Sequence, residues 1–177
     1  MNVFVLCTGR CGSTTFARAC SHIENFGVAH ESRCAQLGDS RFAYPENHIE
    51  VDNRLSWLLG RLDRAYGDDA FYVHLRRPDQ QVAASFLNRY RGGIIRAYRG
   101  EGILMFLPEE TDPMAVALDY CDTVNENIRL FLRDKTRKMD FGLASYQDDF
   151  PRFWQAIGAR GNLRAALHEF RTRHNAS

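Results

Sequence analysis

Apolar residues in this chain come in two rhythms: short unbroken runs, and longer stretches in which they return every three or four positions. The first run, NVFVLC over residues 2–7, is rich in Val and Phe and predicts a buried strand. The rhythm then changes. Phe16, Cys20 and Ile23 fall at i, i+4 and i+7, and Gly27 follows, so a helix is predicted over 13–25. Gly27–His30 reads as a second strand, 31–47 as irregular, and His48–Val51 as a third strand. A helix over about 54–66 carries Leu55, Leu58, Leu59 and Leu62 as a core stripe. Residues 70–75 form a fourth strand, and Pro78 opens a helix to about 90, where its missing N–H costs little. The glycines and prolines of 92–113 predict a long loop or lid. A long helix to about 134, a strand over 138–143 and helices near 150–157 and 163–173 complete the chain.

Strand and helix alternate four times, which predicts one α/β domain with a parallel sheet covered by helices on both faces. In such a sheet ligands bind at the carboxyl ends of strands, so the loops after Cys7 and after Leu75 carry the chemistry. The net charge of +1 gives no global basic field, which argues against nucleic acid as a partner; any anion site is local. Five cysteines without a CxxC pair read as reduced thiols, and no zinc spacing is present. The first apolar run is too short for a signal peptide and nothing reaches the ~20 apolar residues of a membrane span, so the expectation is a cytoplasmic protein.

The first loop reads TGRCGSTT. Gly9 and Gly12 allow a sharp turn and a close backbone approach. The N–H groups of residues 11–15 would lie at a helix start, a natural phosphate or sulfate site. Ser13, Thr14 and Thr15 add hydroxyls, and Arg10 adds a fixed cation. A capping serine alone would explain Ser13 but not Arg10 between two glycines. A nucleotide-hydrolase loop needs GxxxxGK before Ser or Thr, and here Ser13 follows Gly12. A cysteine-phosphatase loop needs an arginine six positions after its cysteine; that position holds Ser13 counted from Cys7 and Ala17 counted from Cys11.

The second loop reads HLRRPDQQVAAS: a strand ends in Arg76-Arg77-Pro78, and Ser85 follows two turns along a helix. Together the two loops resemble those of the sulfotransferases that use 3′-phosphoadenosine 5′-phosphosulfate (PAPS). Arg10, Gly12, Ser13 and Thr14 take the places of that family's Lys/Arg, Gly and hydroxyl pair, and Cys11 replaces its usual serine. Arg77 to Ser85 keeps the arginine-to-serine spacing of the motif that contacts the 3′-phosphate. Arg76 keeps the Arg-x-Pro pattern, and Arg77 is slightly favoured. The resemblance spans roughly residues 2–90. It implies a three-layer α/β/α, nucleotide-kinase-like fold, PAPS as co-substrate, no metal, and Gly9 to Thr15 with Arg76 or Arg77 and Ser85 as the donor site. Arg173, near the end of the chain, is a weak further contact.

The same resemblance implies sulfuryl transfer to a hydroxyl or amine acceptor carried by a small molecule, carbohydrate or lipid. Arg10 would stabilise leaving-group charge. A general base is expected near the ends of neighbouring strands, where Glu31 is the first choice, ahead of His30 and Asp52. The chain is short for this family, so acceptor elements are reduced or come from a second subunit in a homodimer. The rivals are a small-molecule or nucleotide kinase of related fold and a non-catalytic nucleotide-binding module. The kinase reading lacks the phosphate-loop lysine and an acidic metal pair.

Overall fold

The computed structural model describes residues 1–172. Five strands make one sheet: β1 (Val3–Leu6), β2 (Gly27–His30), β3 (His48–Val51), β4 (Phe71–Arg76) and β5 (Lys138–Gly142), in the order β2-β3-β1-β4-β5. Every pairing is parallel, with Val3 opposite both Ile49 and Phe71. β1 therefore sits at the centre, buried along its whole length, which explains its unbroken apolar run.

The described residues also form seven α-helices: α1 (Ser13–Cys20), α2 (Leu59–Tyr66), α3 (Asp79–Leu87), α4 (Gly93–Ala97), α5 (Pro113–Leu132), α6 (Tyr146–Ala156) and α7 (Leu163–Glu169). On one face α1 packs with α6 and α7 through Phe16, Phe141, Phe150, Phe153 and Phe170. On the other, α3 packs on α5, and Tyr120 of α5 meets Phe86, Trp57 and Tyr98. The result is the three-layer α/β/α architecture. The chain first moves outward from β1 to β2 and β3, then crosses to β4 on the far side of β1. The reversal of direction opens a crevice at the carboxyl end of β1.

Several boundaries differ from the sequence expectation. The helix expected over 13–25 ends at Cys20. The segment after it is captured by the loop before α7: Glu24 N–H donates to Arg160 O, and Ile23 bridges Gly161. Gly27 is thus the first residue of β2 and not a helix terminator. The helix expected over 54–66 breaks at Leu58 into a 3₁₀ turn, Asn53–Trp57, and α2, because the Asp52 carboxylate caps the turn through Arg54 N–H. Leu55 and Leu62 are fully buried, while Leu58 and Leu59 are half-buried. Within the expected loop 92–113, residues Gly93–Ala97 form α4. The helix expected near 150–157 starts earlier, at Tyr146, because the Asp149 carboxylate holds its entry by accepting from Gly142 N–H and Ser145 Oγ–H.

Candidate functional site

The first loop leaves β1 at the middle of the sheet. Gly9, Arg10 and Gly12 have φ of +79°, +55° and +94°, three left-handed residues within four. Such a run rolls the backbone into a concave nest of N–H groups. The positive φ favours glycine at both positions, and each also sits tightly against the end of a neighbouring side chain. A Cβ on Gly9 would lie 2.9 Å from Asn53 Nδ2, and one on Gly12 would lie 2.7 Å from Leu143 Cδ1. Arg10 holds the same conformation without being glycine, at a cost on the order of 1–3 kcal/mol. Gly12 is the residue that caps α1, so Ser13 is not a capping serine. Its Oγ instead lies 3.2 Å from His30 Nε2. The Cys11 side chain is fully buried and turned away from the solvent.

The second loop arrives from β4. Arg77 donates through Nε to Gln81 Oε1 at 3.0 Å and through its guanidinium to the Arg10 carbonyl at 3.4 Å. Arg10 Nε donates to Ser85 Oγ at 3.0 Å. Arg10 thus bridges Arg77 and Ser85. Arg76 is exposed at the strand end, where its carbonyl accepts from Leu143 N–H. Burial, then repulsion from Arg89 and Arg77, lowers the pKa of Arg10 from its ordinary value; an arginine remains charged near neutrality. Arg89 is a cation the sequence reading passed over. The available signal was its position one helical turn beyond Ser85.

Arg10, Arg77 and Ser85 line a cleft of about 650 Å³. Gly12 to Thr15 form its floor. Gln81, Ala84, Ser85 and Asn88 of α3 and its end form one wall, and Leu143, Ala144, Tyr146 and Phe170 form the other. The Tyr146 and Phe170 rings stack with centroids 4.8 Å apart at 14°. The lining thus combines cationic, N–H and hydroxyl groups with a stacked aromatic pair. Neither Tyr146 nor Phe170 stands out in the sequence. Arg173 lies outside the described residues.

The fold has counterparts among solved structures. Over 97% of its length the chain matches the "Sulfotransferase Domain from the Curacin Biosynthetic Pathway" with a TM-score of 0.67 at 14% identity, spanning 78% of that chain. Over 96% it matches mouse sulfotransferase SULT7A1 complexed with PAP, with a TM-score of 0.63 at 13% identity, spanning 62% of that chain. The fold is that of the sulfotransferases. At the level of sequence, no protein-family profile and no curated protein matches. What the loops of this sulfotransferase fold can do is therefore read from their own residues.

The three acid–base candidates occupy different settings within that fold. His30, at the end of β2, is exposed apart from its contact with Ser13. Glu31 (φ +52°) accepts from Asn53 Nδ2 at 2.9 Å and from the Arg54 guanidinium at 2.6 Å, which ties the end of β2 to the turn after β3. Asp52 is fully buried. One carboxylate oxygen takes the Arg41 guanidinium at 2.5 Å and the other takes Arg54 N–H at 2.8 Å. Burial pushes its pKa up, more than the Arg41 contact pulls it down. Asp52 thus faces the protein interior and anchors residues 38–44 to the sheet.

Proposed function

We propose that this protein is a sulfotransferase that binds PAPS in the cleft and transfers its sulfuryl group to a hydroxyl or amine acceptor. The observation that carries the reading is the convergence of Arg10, Arg77 and Ser85 beside the helix start at Gly12. Arg77 and Ser85, with Arg89 nearby, suit a phosphate at one position. The nest and the hydroxyls of Ser13, Thr14 and Thr15 suit a second. The stacked Tyr146 and Phe170 offer a flat platform for a base. A nucleotide carrying two separate phosphate groups satisfies all three, and one structural neighbour is complexed with PAP.

In the reaction the acceptor oxygen or nitrogen attacks sulfur. The bond from sulfur to the bridging phosphate oxygen breaks, and its electron pair stays on the 5′-phosphate of the departing 3′-phosphoadenosine 5′-phosphate (PAP). The acceptor proton passes to a base. Arg10 neutralises the charge that grows on the phosphate, as positioned cations do in phosphoryl transfer. His30 is the base that the arrangement favours: it is open to solvent and stands against the hydroxyl of Ser13 on the donor loop. Glu31 is spent on Asn53 and Arg54, and Asp52 is enclosed. Residues 92–113, with exposed Met105 and Phe106, would cover or line the acceptor site.

A thermal-shift comparison tests the reading. PAP at 100 times its Kd adds about 2.7 kcal/mol of stability, and AMP at the same concentration should add far less. Equal shifts for PAP and AMP would remove the 3′-phosphate assignment. A larger shift with magnesium-ATP would replace the reading with a kinase.

A further inference from the structure

The segment between α3 and α5 makes an excursion from the fold that is anchored from within. Ile95 and Tyr98 are buried. The Tyr98 hydroxyl donates to Asp119 Oδ2 and lies 3.2 Å from Thr123 Oγ1, both on α5. Arg99 Nε donates to Tyr90 O at 3.2 Å, and its guanidinium lies over the Tyr90 ring, 4.2 Å from the centroid. The N–H groups of Ile103 and Leu104 both donate to Tyr98 O. The turn over residues 98–104 is thereby held against α5 on one side and the end of α3 on the other.

Past that turn the apolar side chains divide. Leu104 and Leu107 pack on the core, whereas Ile103, Met105 and Phe106 are 53%, 65% and 82% exposed. Other exposed large hydrophobics, such as Leu37 and Leu130, stand singly. Phe106 also has φ +56°, a rare conformation for a bulky residue and one that persists only where the surrounding structure imposes it. The stretch before the tip is basic: residues 88–100 hold four arginines and no carboxylate, in a chain whose net charge is +1. Arg91 and Arg96 are exposed, and neither joins an ion pair among the described residues, whereas Arg41 and Arg54 are held by carboxylates. Glu101, Glu109 and Glu110 flank the tip, so charge alone would not hold a polyanion there.

We propose that this excursion docks the protein on the surface of an anionic lipid bilayer, with Ile103, Met105 and Phe106 at the boundary between headgroups and acyl chains and Arg91 and Arg96 at the lipid phosphates. Two arguments choose this occupant. Three side chains of this size offer on the order of 400 Å² of contact, about half of the ~800 Å² that each partner buries in a stable protein interface. A soluble polyanion would match the arginines and leave the apolar tip in water. An anionic bilayer takes both, the apolar tip by burial and the arginines by charge. Among the described residues no helix is long and apolar enough to cross a membrane, so the contact is peripheral. None of these residues lines the cleft, and the docking surface does not rest on the donor reading.

Vesicle flotation without nucleotide tests it. The protein is mixed with vesicles of phosphatidylcholine alone, or of equal parts phosphatidylcholine and phosphatidylglycerol. It should float with the mixed vesicles and partition more weakly onto the neutral ones. The double variant Met105→Ser, Phe106→Ser should weaken partition onto the mixed vesicles about tenfold or more. Arg91→Gln with Arg96→Gln should weaken it about fivefold per charge lost, on the mixed vesicles only. All four positions are exposed, and an unchanged melting temperature without lipid shows that the variants fold. No flotation with either vesicle would overturn the proposal. So would flotation that survives Met105→Ser, Phe106→Ser, because the contact would then lie elsewhere. Equal partition onto both vesicles, unmoved by the arginine substitutions, would overturn the headgroup role. A protein that stays off vesicles and forms a concentration-dependent dimer, broken by Met105→Ser, Phe106→Ser, would give the tip to a second copy. Vesicle binding in a protein with no thermal response to PAP would remove the donor reading and leave the docking surface standing.

Discussion

Arg10 and Ser85 stand 75 positions apart in sequence and are joined by a hydrogen bond from Arg10 Nε to Ser85 Oγ at 3.0 Å. The bond crosses the crevice at the centre of the sheet, linking the loop after β1 to the helix after β4. Arg77 closes the same bridge from the other direction by donating to the Arg10 carbonyl. Each side of the cleft is therefore positioned by the other, and a substitution on one side is expected to be felt on both.

Arg10→Ala is expected to cut turnover by roughly 100-fold or more, because leaving-group charge grows as the S–O bond breaks. Its effect on PAP binding should be much smaller. Arg10→Lys should keep part of the activity, since an ammonium can occupy the same place. Release of PAP from PAPS with a generic phenol as acceptor measures this without a known natural acceptor. Wild-type turnover in Arg10→Ala would leave the loop as a binding cradle only.

Gly12→Ala should damage the site through backbone and packing together. A non-glycine at φ +94° costs on the order of 1–3 kcal/mol. The new Cβ would also press on Leu143, whose Cδ1 is 2.7 Å away. Leu143→Ala in the same chain should recover the packing share and not the conformational share. Urea unfolding of the two variants separates these contributions. A fully restored double variant would show that φ is not the constraint.

Stability should fall on mild acidification because of His74. Its Nε2 lies 3.0 Å from Asn125 Oδ1, and Asn125 Nδ2 donates to Asp79 Oδ1 at 2.9 Å, so this chain ties β4 through α5 to the first turn of the helix that carries Ser85. Burial holds the pKa of His74 below its ordinary value. A histidine depressed in the folded state contributes stability in full above its unfolded pKa, about 6.5, and loses it as pH drops toward the folded value. The unfolding free energy should decline from pH 7 to pH 5, and His74→Gln should flatten that slope. Glu50 acts in a lower window. Its carboxylate is buried, but hydrogen bonds from His48 and Ser32 outweigh that burial and depress its pKa. That contribution is lost only below the usual carboxylate range.

Much of this was legible in the chain because local rules agree with the fold. The run over residues 2–7 is unbroken because β1 is buried on both faces, and Gly9 and Gly12 announce the left-handed turn they occupy. The spacing from Arg77 to Ser85 survives because a regular helix turns sequence distance into direction. What stayed hidden depends on contacts across the fold. Cys20 ends α1 because residues 23–25 pair with the loop before α7, more than 130 positions away. Asp52 looks like an accessible strand-end acid until Arg41 is found folded against it. Tyr146 opens α6 and Phe170 follows α7, and only tertiary packing stacks them beside the cleft.

The identity of the base gives the last prediction. His30→Ala should lower turnover 100-fold or more, in the range of a lost general base. Glu31→Gln loosens the half-exposed contact to Arg54, whose worth to stability is about 1 kcal/mol at most, and should reduce turnover less. Asp52→Asn breaks a fully buried ion pair with Arg41 and should cost about 3–5 kcal/mol of stability, with turnover of the folded fraction close to that of the wild type. Because His30 also touches Ser13, loss of activity in His30→Ala could reflect a displaced hydroxyl. His30→Gln separates the two roles: its amide can still hydrogen-bond Ser13 Oγ but cannot accept the acceptor's proton. A base role therefore leaves His30→Gln as slow as His30→Ala, whereas a positioning role lets it recover. If Glu31→Gln proved slower than both, with the acid limb of kcat/KM in the wild type falling at carboxylate pH, the proton would go to Glu31 and His30 would be a neighbour of the loop.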